Sequence, residues 1–142
     1  MEARLISPAG AASLSVTEIR DAAAREGGTL WLDFDHTDED SMELLGALID
    51  VRPRDIQECH NRSPVPKMRF YADHHFSAIN GLARGSDGRL YFVPLKLFLT
   101  PKALITVHGP TSSSLTSEIA RRELSAVRQR LDSGQLRPAS SF

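Results

Sequence analysis

The chain has 142 residues, of which 41% are hydrophobic and 25% are charged, and this size suits one globular domain. A formal net charge of −1 at pH 7 gives too weak a field to attract a polyanion, so no nucleic-acid partner is expected. The longest nearly unbroken apolar run, residues 95–107, contains two lysines and a proline. It is far shorter than the roughly 20 apolar residues of a membrane-spanning helix, so none of this chain is expected to span a membrane. The single cysteine, Cys59, excludes an internal disulfide and is typical of a reducing, cytoplasmic setting.

The first sixty residues predict two strands and three helices. Ser15 and Glu18 have the spacing of a capping box, which starts a helix that the glycines at 27 and 28 end. Thr37 and Asp40 form a looser capping pair before apolar residues at helical spacing, and Pro53 favours the first position of a third helix. The predicted order is a strand over 3–6, a helix, a strand over 29–34, a helix to residue 49 and a short helix over 53–60.

The second half of the chain predicts three strands and a helix. Residues 61–66 hold two prolines and are expected to be irregular, and strands follow from Met68 to a polar turn at 84–89, over 91–99 and over 103–108. In the middle strand the odd positions from Tyr91 to Leu99 are apolar, which predicts that this face is the buried one, and Pro94 predicts an edge or a bulge. A last helix is predicted from a start at 111–114, through Ala120, Leu124, Val127 and Leu131, to a stop at Gly134.

This order of elements predicts an α/β fold. Alternating elements followed by a meander favour a mixed parallel and antiparallel sheet flanked by helices, an αβα sandwich. The parallel part is expected near the N-terminus and the antiparallel part after Lys67. Trp31 lies in an apolar strand between two amphipathic helices, so we expect its large side chain to be buried.

The sharpest local motif is Leu-Asp-Phe-Asp-His-Thr, with carboxylates at Asp33 and Asp35. It resembles the Asp-x-Asp-x-Thr loop of haloacid-dehalogenase-type phosphatases, where the first carboxylate attacks phosphorus and both help to bind Mg²⁺. That chemistry also needs a cation on the phosphoryl group and a second acidic cluster, and the sequence has neither at the required places. Acidic residues here are also explained by the dipole of the following helix. A small Mg²⁺-dependent phosphatase is therefore the alternative function.

Four side chains of the kind that bind zinc, Cys59, His60, His74 and His75, suggest a metal site. Adjacent residues on a strand point to opposite faces, so His74 and His75 cannot easily coordinate one ion, and Cys59 and His60 have the same difficulty on a helix. A small buried cysteine and polar strand edges explain these residues without a metal.

Several short strings between residues 31 and 108 share the order and spacing of one known domain. Trp-Leu-Asp at 31–33 and the acidic helix at 38–49 match its first elements, and Arg52-Pro53 with Gln57-Glu58 are similar to its His-Pro and Glu-Asp pairs. Later matches are Pro66-Lys67, Phe70-Tyr71, Phe76, Phe98-Leu99 and the run from Leu104 to His108. Together they resemble the N-terminal cytoplasmic domain of the CorA family of magnesium and cobalt transporters, which includes zinc-transporting relatives.

The resemblance implies a regulatory domain of a divalent-cation transporter, not an enzyme, with no catalytic residue. Residues 1–134 would form the soluble cytoplasmic domain, and residues 135–142 a linker or the start of a stalk. The family consists of homopentameric channels, whose two membrane helices and Gly-Met-Asn sequence are not found in this chain. The chain is thus expected to be a soluble fragment at the cytoplasmic face of the cell membrane, with neighbouring subunits and divalent cations as partners. It would touch the membrane only through C-terminal helices that it lacks.

The resemblance also implies a metal role for Glu58, which takes the position of an acidic residue in the family's Glu-Asp pair. Gln57 replaces the other carboxylate of that pair. The site would be completed by a neighbouring subunit. Because Mg²⁺ needs more than one protein oxygen to be held well, the isolated domain is expected to bind Mg²⁺ only weakly.

Overall fold

A computed structural model describes residues 1–24, 27–62 and 65–110, together with residues 116, 118, 119, 122, 125, 129, 130, 132 and 133. Within the last group the backbone is helical at 118, 119, 122, 125, 129, 130 and 132, inside the range of the last predicted helix. The residues predicted to start, line and end that helix (111–114, Ala120, Leu124, Val127, Leu131 and Gly134) lie outside the described residues. The predicted linker, 135–142, also lies outside them.

Seven strands form one mixed sheet in the order β2-β1-β3-β7-β6-β5-β4. All neighbours are antiparallel except β3 and β7, which are parallel. The strands are β1 (Glu2–Ser7), β2 (Gly10–Ser13), β3 (Thr29–Asp35), β4 (Lys67–Phe70), β5 (His75–Arg84), β6 (Leu90–Leu99) and β7 (Ala103–His108). The mixed sheet of the predicted α/β fold is confirmed.

Three details of the predicted sheet are wrong. The single strand predicted from Met68 to the turn at 84–89 is divided into β4 and β5 by a turn, in which the Tyr71 amide donates to the His74 carbonyl at 2.8 Å. The parallel pair joins β3 to β7, which is the last strand along the chain, and not to β1. The chain reverses direction at Pro8 and Ala9 to form β2 beside β1, and β1 runs antiparallel to β3. Strand β2 was not predicted, since its sequence Gly-Ala-Ala-Ser has no apolar alternation.

Three helices match the predicted ones: α1 (Val16–Ala24), α2 (Glu39–Leu48) and α3 (Pro53–Cys59). The Glu18 carboxylate accepts a 2.8 Å hydrogen bond from the Ser15 backbone amide, as a capping box requires. The cap of α2 differs from the prediction: it is Asp38, whose carboxylate accepts from the amide (3.2 Å) and hydroxyl (2.6 Å) of Ser41. Thr37 instead donates to Asp35. Pro53 occupies the start of α3, as predicted.

The three helices pack on one face of the sheet, here called the helix face. Strand β3 contributes Leu30, Leu32 and Phe34 to this face, and the register places Ile105 and Val107 of β7 beside them. Helix side chains complete the core: Ile19, Ala22, Leu44, Leu45, Ile49 and Cys59. Because successive strand residues alternate, the opposite or second face carries Trp31, Asp33, Thr106 and His108.

The buried face of β6 is the reverse of the predicted one. Pro94, Lys96 and Phe98 are buried on the helix face, whereas Leu99, on the apolar face, is 48% exposed. Lys96 interrupts the apolar pattern of the buried face, so this face looked polar in the sequence. The lysine is tolerated there because its buried ammonium donates hydrogen bonds to carbonyls instead of to water. Strand β6 is internal, so the predicted edge strand at Pro94 is not found. The pairing of β6 with β7 reaches only to Leu95, and Pro94 therefore has a strand partner on the β5 side alone.

Trp31 is 6% exposed, so its predicted burial is confirmed. It lies on the second face, not under α1 and α2, and its indole Nε1 donates to the Thr106 hydroxyl at 3.3 Å. Arg4, opposite Trp31 on that face, forms an ion pair with Asp132. Farther along the same face, Met68 and Phe70 of β4 are 59% and 69% exposed. Among the described residues no helix is long and apolar enough to cross a membrane.

Candidate functional site

Two carboxylates of α3 face two cations of β4. Asp55 and Glu58 are three residues apart, a spacing that places both on one side of a helix. Lys67 and Arg69 are two residues apart on β4 and point to the helix face, beside Ala78 and Phe76 of β5. The geometry of a short helix and an edge strand therefore brings four charged side chains into one cluster, called here the α3–β4 cluster.

Asp55 occupies the buried end of the α3–β4 cluster. Its side chain is 0% exposed, and one carboxylate oxygen accepts a hydrogen bond from the Arg69 guanidinium. The second oxygen, Oδ2, has no hydrogen-bond partner among the described residues. The Arg69 guanidinium also lies 5.4 Å from the centre of the Phe76 ring, which holds it between strand and helix. Asp55 was not singled out from the sequence, where it resembles any acidic residue of a first helical turn.

Glu58, the predicted metal ligand, lies at the outer end of the cluster. Its carboxylate accepts a hydrogen bond from the Lys67 ammonium, and Arg69 Nη2 is 3.6 Å away. The bond from Lys67 is the main reason that the pKa of Glu58 lies below its ordinary value. The two carboxylates of the cluster are thus balanced by the two cations of the same chain. A metal ion that binds Glu58 would have to displace the Lys67 ammonium.

The four residues considered as zinc ligands, Cys59, His60, His74 and His75, do not form one group. Among the described residues no set of three or more His, Cys, Asp and Glu side chains is arranged to hold a metal. Cys59 is fully buried, and burial raises the pKa of its thiol to about 12, so it stays protonated. His74 is buried with Nδ1 2.9 Å from Asp73, whereas His75 is exposed.

The carboxylates of the phosphatase-like motif are both engaged by neighbouring side chains. Asp33 is 7% exposed, accepts a hydrogen bond from the Thr106 hydroxyl and lies 2.6 Å from His108 Nε2. Asp35 accepts from the amide (3.1 Å) and hydroxyl (2.8 Å) of Thr37. A nucleophile needs access to phosphorus, so the burial of Asp33 does not favour the phosphatase alternative. The partners of Asp33 on β7 lie more than 70 residues away in sequence, and no local signal predicted them.

Lys96 is a third buried charged group, and sequence reasoning missed it. It is 0% exposed, and its ammonium donates to the backbone carbonyls of Cys59 (3.2 Å), Asn61 (3.1 Å) and Gly109 (2.7 Å). Burial lowers the pKa of Lys96 to about 8. The only sequence signal was a lysine at an even position of an otherwise apolar strand.

Solved structures share this fold. The full-length CmaX protein aligns with 95% of this chain at a TM-score of 0.70 and 12% identity, over 39% of its own length. The complete CorA magnesium transporter from Methanocaldococcus jannaschii aligns with 100% of the chain at a TM-score of 0.69 and 10% identity, over 40% of its own length. The ZntB cytoplasmic domain from Vibrio parahaemolyticus aligns with 99% at a TM-score of 0.65 and 15% identity, over 52% of the matched chain.

The seven-stranded mixed sheet, with α1, α2 and α3 on one face, is therefore the fold found in the ZntB cytoplasmic domain and in part of the full-length CorA and CmaX structures. The chain spans about two fifths to half of the length of these matches. No curated protein sequence matches it. A family model described as "CorA-like Mg2+ transporter protein" matches residues 26–140, most of the chain. The chain belongs to that family.

Proposed function

We propose that this chain is the regulatory cytoplasmic domain of a CorA-like divalent-metal-ion transporter and has no enzymatic activity of its own. The match of the family model to residues 26–140 carries this proposal. The shared fold supports it, because that fold recurs in a CorA magnesium transporter and in the ZntB cytoplasmic domain. In this role the domain lies at the cytoplasmic face of the membrane, contacts neighbouring copies in a homopentamer, and responds to Mg²⁺ or Co²⁺.

The described residues do not fit a complete metal site. At Glu58 the chain offers one carboxylate, which Lys67 already engages, and the carboxylate of Asp55 is turned toward Arg69. Mg²⁺ prefers several oxygen ligands and retains water, so Glu58 alone is too small a donor set. If Glu58 is a ligand, the other oxygens come from a neighbouring subunit and Lys67 moves aside.

Titration calorimetry with Mg²⁺ tests this account of Glu58. We expect binding on the order of millimolar or weaker for the isolated chain, about −4 kcal/mol at most. Glu58→Ala is compared with Glu43→Ala, which removes an exposed carboxylate from α2 as a matched control. Micromolar binding that Glu58→Ala abolishes and Glu43→Ala preserves would show a complete site in one chain and refute the shared site.

The transporter assignment is tested by the coding region that surrounds this segment. Two apolar segments of roughly 20 residues, the first followed by Gly-Met-Asn, are expected in the same reading frame. An assay with a generic phosphate ester and Mg²⁺ tests the alternative. Turnover lost in Asp33→Asn but retained in Asp40→Asn would contradict a purely regulatory domain.

A further inference from the structure

The ammonium of Lys96 joins three separate segments of the chain. Its three acceptors are the last residue of α3 (Cys59), the residue two positions later (Asn61), and the residue directly after β7 (Gly109). Lys96 itself belongs to β6, in the interior of the sheet. One buried atom therefore connects the end of a helix, the loop that follows it, and the point where the chain leaves the sheet.

Lys96 provides a positive charge near the last carbonyls of α3. The last carbonyls of a helix have no partners within the helix, and a positive charge near them is favourable because the helix dipole is negative there. Helix α3 has no basic residue in its last turn. Lys96 supplies that positive charge from a neighbouring strand.

At the exit from the sheet, the backbone conformation of Gly109 is closely constrained. Its φ of +111° lies in the region that favours glycine, and a Cβ at this position would lie 2.1 Å from His36 Nδ1. The amide of Gly109 donates to the Pro94 carbonyl at 3.4 Å, and its carbonyl accepts the shortest of the three Lys96 bonds. The Lys96 ammonium is thus one of the contacts that hold the backbone of Gly109 in this conformation.

From this geometry we propose that Lys96 is a positioning residue that couples the C-terminal end of α3 to the exit of the chain after β7, so that the two move as one unit. The side of α3 that carries Asp55 and Glu58 contacts β4, whereas the C-terminal end of α3 is joined to Gly109 through Lys96. A displacement of that end would therefore reach Gly109 through the Lys96 ammonium. A merely stabilising lysine would make both regions more stable without linking them.

Amide hydrogen exchange separates coupling from stabilisation. The reporters are the amides of His60 and Asn61 at the end of α3, and the amides of His36 and Gly109 at the exit, where His36 donates to the His108 carbonyl at 2.9 Å. The perturbation is Ile56→Ala, which removes part of a half-buried side chain of α3 that packs on the core. With Lys96 present, we expect this substitution to accelerate exchange about tenfold at both pairs of reporters.

In the Lys96→Met background, we expect Ile56→Ala to accelerate exchange at His60 and Asn61 but to change His36 and Gly109 by less than about twofold. Lys102→Met is the matched control, since Lys102 is exposed in the turn between β6 and β7, and it should preserve the coupling. Equal acceleration at the exit with and without Lys96 would overturn the proposal. If Lys96→Met does not fold, the comparison of the unsubstituted chain with Ile56→Ala still decides: an exit that does not respond to Ile56→Ala overturns it.

Discussion

Arg69 donates a hydrogen bond to the fully buried carboxylate of Asp55, and removal of this arginine should be costly. In Arg69→Met the side chain keeps much of its apolar length, but Asp55 loses the guanidinium that balances its charge. Because Asp55 is 0% exposed and its other oxygen already has no partner among the described residues, water cannot easily replace the lost bond.

The size of the effect follows from the burial of the two partners. Breaking a buried ion pair from one side typically costs about 3–5 kcal/mol. The Arg69 side chain is 24% exposed, which makes the pair partly accessible and favours the lower end, about 3 kcal/mol. Over 142 residues an unfolding entropy of about 2.1 cal/mol/K per residue gives about 0.3 kcal/mol/K, so Tm should fall by about 10 °C.

Thermal and urea unfolding measure this loss, and a second substitution identifies its cause. Asp55→Asn in the Arg69→Met background removes the uncompensated charge, so it should restore about 1–2 kcal/mol. Arg62→Met removes an exposed arginine and should change the free energy of unfolding by less than about 0.5 kcal/mol. A loss below 1 kcal/mol for Arg69→Met, or no recovery in the double variant, would refute the view that Arg69 compensates a buried charge.

Three further predictions follow from other buried groups. The Cys59 thiol, with its pKa raised to about 12 and no exposure, should not react with an aromatic disulfide reagent at pH 8 in the folded chain but should react fully in denaturant. The pKa of Lys96 is lowered from 10.5 to about 8, so the unfolded chain binds more protons between these values. Its contribution to the free energy of unfolding should therefore rise with pH across that window, and Lys96→Met should remove this slope in urea titrations. Trp31 should emit at shorter wavelength than free tryptophan; emission at the wavelength of the free amino acid from a folded sample would contradict its burial.

The positions of helices and strands could be predicted from the sequence better than the tertiary contacts between them. Periodicity, caps and prolines are local signals, and they located the three helices α1, α2 and α3 and the strands β1, β3, β6 and β7, while β4 and β5 were predicted as one strand. The faces of β6 were reversed because Lys96 looks solvent-exposed by composition, whereas its burial depends on carbonyls that come from α3, its loop and Gly109. No local pattern records such distant acceptors.

The candidate site shows the same limit. Glu58 was singled out by resemblance, but its contact with Lys67 and the burial of Asp55 depend on how α3 lies on β4. The sequence motif around Asp33 resembled a catalytic loop, but the Asp33 carboxylate contacts Thr106 and His108, which lie on a strand more than 70 residues away in sequence. The role of Glu58 as a metal ligand stays a prediction, which the titration calorimetry described above tests.

The parallel pair of β3 and β7 joins two parts of the sheet, each of which is made of strands close in sequence. Strands β4 to β7 each pair with the next strand in sequence, and β1 to β3 form a second local group, so most of the sheet closes short loops. The β3–β7 seam instead brings together residues such as Trp31 and Thr106, 75 positions apart. Closing so long a loop costs about 2 kcal/mol more in chain entropy than closing a ten-residue hairpin. We therefore expect the seam to form late and to set the pace of folding, with Trp31, which lies in it, changing its fluorescence as the two halves join.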